Sequence, residues 1–206
     1  MKISELFEAS ITAYHGTNRD FDTFKRNPND VMHADDSSFF HFGNKKQAQQ
    51  RLADKEDCDN ARIIQAKLDI KNPLRMKDIT DWDPWNIVYE LRNSKNKKIA
   101  AIASKTFEEA QQIGKRKQWN FDKKMREWYK INGGFKQSIR TKEEMDYRKS
   151  IIQPYENRLY ELVKNMFSSL GYDAIVYKNK YEGSGDSYLV FEPHQIKIVK
   201  STPIKQ

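Results

Sequence analysis

ITAYHGT, residues 11–17, alternates side-chain character and is rich in β-formers, then halts at a Gly-Thr pair. It reads as a strand whose last turn carries His15. One reading is plain: Tyr14 is core, Gly16 supplies a backbone angle that other residues resist, and His15 is incidental to a turn. The other makes the strand end a site. The surrounding sequence bears on the choice.

Downstream, residues 18–36 form a long polar stretch in which Phe21 and Phe24 are expected anchors. SSFFHFG (37–43) reads as a second short strand, and NKKQAQQRLADKED after it as a helix capped by Asn44. ARIIQAKLDI (61–70) is a third strand, closed by the turn signal Lys71-Asn72-Pro73. From about 76 to 170 the composition turns helical, punctuated by Pro84, Gly114, Gly133-Gly134 and Pro154. Residues 142–172 predict one or two helices, and apolar residues at 159, 162, 163, 166, 167 and 170 form a core-facing stripe. Strands then return as DAIVYKN (173–179), SYLVFEP (187–193) and QIKIVKS (195–201), with YEGSGD (181–186) a flexible loop. Strands at both ends around a helical block predict an α+β domain with a helical insertion, not a βαβ parallel sheet.

The chain has 206 residues, enough for one domain with a real core. Its 32% charged and 37% hydrophobic content is polar, but 12% aromatics argue against wholesale disorder. The net charge of +8 and pI of about 9.3 point to an anionic partner (nucleic acid, a nucleotide or an acidic protein surface) or to solubility alone. Cys58 is the only cysteine, which excludes an intrachain disulfide and a cysteine-based zinc site. Its acidic neighbours argue against a nucleophile. No apolar run is long enough to span a bilayer, and residues 1–10 lack a secretory core, so an intracellular protein without membrane contact is expected.

No phosphate-binding loop, dinucleotide fingerprint, HExxH motif or GxSxG elbow occurs. The four histidines (15, 33, 41, 194) have no standard metal spacing, and no metal is expected. His33, His41 and His194 read as surface or core residues without a chemical role. Three places remain: Tyr14-His15-Gly16-Thr17, the segment Phe39–Gly43, and Gly185–Pro193 after the loop.

AYHGT, SSFFHFGNKKQA and DSYLVFEPHQIKIV, in that order, resemble the ADP-ribosyltransferase superfamily. Within it they are most similar to the diphtheria-toxin and poly(ADP-ribose)-polymerase-like (H-Y-E) branch and to phage and plasmid domains. LDIKNPL (68–74) and LGYDAIVYKN (170–179) fit the phage type as well. The resemblance covers roughly residues 11–75 and 168–200. It implies a split β-sandwich around an NAD+ cleft, spanning 11–201, with the insertion at about 76–168 and a tail at 202–206. It implies transfer of ADP-ribose, expected to be mono-transfer, from NAD+ as substrate to a macromolecular acceptor, protein or nucleic acid.

By the same resemblance, His15 binds a ribose hydroxyl, Gly16 the nicotinamide amide through its backbone, and Phe40 stacks on the ring. Tyr14, Thr17 and Tyr188 line the same cleft. The family's catalytic glutamate falls immediately before Tyr188, where this chain has Ser187. Asp186, re-aimed by a bulge, or Glu182 folding in from the loop are the alternatives. Glu192 matches a structural position. The missing glutamate also fits the alternative, an inactive domain of this fold that binds a nucleotide, nucleic acid or protein partner. A third reading, an RNA 2′-phosphotransferase-like enzyme, needs an arginine cluster that the matching strands lack.

Leu6-Phe7-Glu8 resembles sites cut by prohead proteases of large tailed phages. It suggests that residues 1–10 are a processed leader, and that the protein acts in the bacterial host cytoplasm as a phage effector, packaged in the virion and injected. The alternative is an amphipathic first turn. The run KRKQWNFDKKMREWYK (115–130) interleaves aromatics with basic residues, as single-strand-binding surfaces do, though an amphipathic helix with a solvated basic face has the same pattern.

Overall fold

The computed structural model describes residues 10–25, 39–53, 60–79, 81–132 and 141–204. Residues 6–8, His33, Cys58 and Gly133-Gly134 lie outside them. The described residues divide into two compact units. One holds 10–25, 39–53, 60–78 and 171–204; the other holds 79, 81–132 and 141–170.

The first unit is built of two sheets. β1 (Ile11–Thr17), β3 (Arg62–Leu68) and β7 (Ile196–Pro203) form an antiparallel sheet with β3 in the centre. β2 (Phe40–Phe42), β6 (Asp186–Val190), β5 (Ala174–Lys178) and β4 (Pro73–Met76) form the second, in that order. Period-2 alternation sends Ala13, Ile64, Ala66 and Leu68 of the first sheet, and Phe40, Phe42 and Val190 of the second, into one core cluster with Phe24. The opposite face of the first sheet is covered by α1 (Lys45–Ala53), whose Ala48 and Leu52 pack with Ala61 and Ile63. A single antiparallel bridge joins the sheets: Tyr14 N donates to Gly43 O at 2.8 Å and Gly43 N to Tyr14 O at 2.9 Å. It brings the end of β2, and the start of α1, against β1.

β4 was not foreseen in the sequence, where Pro73 reads as part of a turn. It pairs parallel to β5, with Pro73 opposite Ala174. A parallel pair needs a long crossover, and here the connection is the entire helical unit. That unit holds α2 (Pro84–Leu91), α3 (Lys97–Ile131) and α4 (Lys142–Ser169). Asp83 caps α2 by accepting from Asn86 N at 2.8 Å, with Pro84 at a first-turn position where its missing N–H costs nothing. Asn96 and Thr141 cap α3 and α4 in the same way. α4 runs unbroken through Pro154 and buries Ile151, Tyr160, Val163, Met166 and Phe167. α3 and α4 share a polar knot: the Tyr129 hydroxyl donates to Glu144 at 2.7 Å, and Arg148 Nε donates to the same carboxylate at 2.8 Å.

No helix among the described residues is long and apolar enough to cross a membrane.

Candidate active site

The bridge between Tyr14 and Gly43 sets the geometry. It lays the end of β1 beside β2 and the first turns of α1, and His15 Nδ1 then donates to the His41 carbonyl at 2.8 Å. A carbonyl only accepts, so the His15 proton sits on Nδ1, and in the neutral ring Nε2 is the acceptor.

α1 opens with a reciprocal cap. Gln47 N donates to Asn44 Oδ1 at 3.0 Å, and Asn44 N to Gln47 Oε1 at 2.7 Å. The two amide groups left over hold the loop before β6. Asn44 Nδ2 donates to Ser184 O at 3.0 Å, and Gln47 Nε2 to Gly183 O at 3.2 Å. Gly183 (φ +105°) and Gly185 (φ +136°) supply the left-handed angles the loop needs. Inside it, Asn179 Oδ1 accepts from Tyr181 N and Glu182 N, both at 2.9 Å. The result turns Glu182 inward: its carboxylate pairs with Arg51 of α1 at 3.2 Å and accepts from Asn179 Nδ2 at 3.0 Å.

His15, His41, Gln47, Arg51, Tyr177 and Glu182 thus surround one cavity of about 10 Å³. That is room for a single water. The His41 ring is kept neutral: burial first, then the neighbouring charges of Arg51 and His15, holds its pKa well below the ordinary value. Its buried Nδ1 has no hydrogen-bond partner among the described residues. The Tyr177 hydroxyl, hydrogen-bonded to Ser187, is pushed up to about 12, mainly by burial.

Tyr14, His15 and Gly16 all border this cavity. A Cβ on Gly16 would stand 2.2 Å from the Ala48 carbonyl oxygen, so its missing side chain lets α1 approach β1. Thr17 is buried and accepts from Arg19 N at 3.1 Å, closing the turn after β1. Phe40 is in the core cluster, edge-on to Phe24 at 5.5 Å. Of the β2 residues, His41 and Phe42 border the cavity and Phe40 does not.

On β6, Ser187 is buried and accepts from Asn179 Nδ2 at 3.2 Å. Asp186 lies on the other face of the strand. Arg75 holds it by two bonds, of 3.0 and 2.9 Å, and that pairing keeps the carboxyl below its ordinary range. It does not border the cavity. Tyr188 is partly buried against the core cluster. Glu192 N donates to Gln195 Oε1 at 2.9 Å, an end cap before β7.

Sequence reasoning missed His41, Gln47, Arg51 and Tyr177 as cavity residues. Tyr177 had one signal, since its strand directly precedes the loop and Tyr177 pairs in register with Ser187. No cluster of three or more potential metal-ligating side chains occurs among the described residues.

Comparison with known proteins adds the following. No curated protein matches the chain. A solved structure, described as the crystal structure of an anti-CRISPR protein, aligns over 92% of this chain and 96% of its own, at 9% identity and a TM-score of 0.34. A family model does match, over residues 9–203, nearly the whole length. By that match the chain belongs to the family of ADP-ribosyltransferases in polyvalent proteins.

Proposed function

We propose that the protein transfers ADP-ribose from NAD+ to a macromolecular acceptor, with Glu182, not the residue before Tyr188, as its catalytic carboxylate. The observation that carries this is the inward turn of Glu182 into the cavity that His15 borders. The C1′–N bond to nicotinamide breaks and its electron pair leaves on the nicotinamide nitrogen, which becomes neutral. The acceptor nucleophile bonds to C1′ and surrenders its proton to solvent water. Between these events the ribose carries oxocarbenium character, which an anion brought beside it stabilises. Glu182 supplies that charge and can take the 2′-hydroxyl as a hydrogen-bond donor. His15, oriented by the His41 carbonyl, offers Nε2 to a ribose hydroxyl. Neutral His41 offers its Nδ1 to the carboxamide. Phe40 stays in the core, and Ser187 and Tyr177 support the loop.

NAD+ does not fit a cavity of about 10 Å³. Entry therefore requires the 179–185 loop to lift from α1. The contacts to be broken are the Arg51–Glu182 pair and the hydrogen bonds from Asn44 and Gln47. Each contributes about 0.5–1.5 kcal/mol, a cost that ligand binding can offset. Arg51, released, becomes available to the pyrophosphate.

The fold reading that accompanies this is a split β-sandwich with its NAD+ cleft at the Tyr14–Gly43 bridge. A single round of transfer, a phage origin and a bacterial target belong to the same proposal. The rival reading, an inactive domain of this fold that binds a partner, is favoured by the closed cavity. Nicotinamide release and labelled ADP-ribose incorporation, measured in bacterial lysate with wild type and His15→Ala, separate the two. Release that the variant loses by about 100-fold or more supports transfer. No release together with no NAD+ binding would overturn it.

A further inference from the structure

A second concavity, of about 700 Å³, lies at the far end of β3 and β7, bordered by Lys67, Lys71, His194 and Lys197. The register there is unusual. Lys67 on β3 sits directly opposite Lys197 on β7. Like charges directly opposite on neighbouring strands destabilise a sheet. Neither lysine has an ion-pair partner among the described residues.

β7 then does something further. Gln65 pairs with Lys200 and Ala66 with Ile198, so Val199 is an extra residue, a bulge. Without it, Lys200 would alternate onto the other face from Lys197. With it, both share the face of Lys67 and Gln65, and Val199 is half exposed. Lysines on an edge strand commonly guard against strand pairing. That explains charges on β7 but not Lys67, which lies on the central strand, nor the bulge that aligns Lys200 with Lys197.

The floor is rigid. Gln195 is buried, its amide nitrogen donating to Asp173 O at 3.0 Å and Asp69 O at 3.4 Å, while Asp69 N donates to Gln195 O at 2.8 Å. The Asp173 carboxylate accepts from Lys71 N and Asn72 N at 2.7 and 2.9 Å, which fixes the turn that carries Lys71. Among the described residues, Asp69 is the one acidic side chain at the concavity, against three lysines. Ile70 gives it an apolar wall.

We propose that the Lys67–Lys197–Lys200 face and its groove bind a single strand of nucleic acid, with phosphates along the lysine row and a base against Ile70. A strand, and not a lone nucleotide, is favoured because the lysine row continues past the concavity to Lys200. The inference goes beyond the transferase reading and does not depend on it.

The test is fluorescence anisotropy with a labelled single-stranded oligonucleotide, titrated across salt, alongside an adenosine monophosphate competitor and a labelled acidic peptide. Each phosphate contact contributes about 0.7 to the salt slope, so Lys67→Gln and Lys197→Gln should each weaken binding about eightfold at 50 mM salt and reduce the slope by about 0.7. Their unfolding midpoints should hold or rise, because a repulsion is removed. Lys130→Gln, on α3, should bind as wild type, and so should His15→Ala, which keeps this test apart from catalysis. Oligonucleotide binding unchanged in both groove variants would overturn the proposal, as would loss of binding in Lys130→Gln. So would the nucleotide binding as tightly as the strand, the peptide binding in its place, or no probe binding at low salt.

Discussion

Gly16→Ala tests whether β1 and α1 are in contact through the glycine. The added Cβ would stand 2.2 Å from the Ala48 carbonyl oxygen and 3.0 Å from Leu52 Cγ. An ordinary Cβ-to-oxygen contact is longer by about 1 Å, and the obstructing atom is helix backbone, so no rotamer change relieves it. α1 must move outward as a body, loosening Ala48 and Leu52 from Ala61 and Ile63. Overpacking of this kind costs about 1–3 kcal/mol. For a chain of this size that lowers the midpoint by about 2–12 °C. Calorimetry of both proteins measures it. If Gly16 instead served only to admit a ligand, the midpoint would not move and NAD+ binding alone would fall; that result would refute the packing argument.

His41 makes stability depend on pH. Its folded pKa lies below the unfolded value of 6.5, so the unfolded chain takes up a proton that the native chain refuses. Stability is complete above that value and is lost as pH falls through it, at up to about 1.4 kcal/mol per pH unit. Urea denaturation at pH 7.5 and 5.5 should show about 1 kcal/mol more loss in wild type than in His41→Gln. In the helical unit, Glu144→Ala leaves Arg148 without its buried carboxylate and should cost about 3 kcal/mol, read as a shift in the denaturant midpoint. Tyr129→Phe, which keeps that ion pair, should cost only about 1 kcal/mol.

Much of this architecture was legible along the chain. β1 and the Asn44 cap announced themselves through alternation and capping chemistry, and the helical block through its composition. β4 did not, because four residues ending a turn acquire strand character only by pairing with β5, about a hundred positions later. The site was legible in part. His15 follows from the strand end, but a run of aromatics does not reveal that His41 and Phe42 border the cavity while Phe39 and Phe40 do not. Glu182 was the hardest. Its direction is set by Asn44, Gln47 and Arg51, distant in sequence, and by Asn179, so nothing local marks it above Asp186. Asp186 sits nearer the expected position, yet Arg75 engages it on the other face of the strand.

That contrast defines the most direct measurement: nicotinamide release from NAD+ by purified Glu182→Gln and Asp186→Asn beside wild type. The proposed roles predict that Glu182→Gln loses about 100-fold or more while Asp186→Asn, which gives up only an exposed pair, stays near wild type. Full activity in Glu182→Gln with loss in Asp186→Asn would contradict the assignment of Glu182 as the catalytic carboxylate.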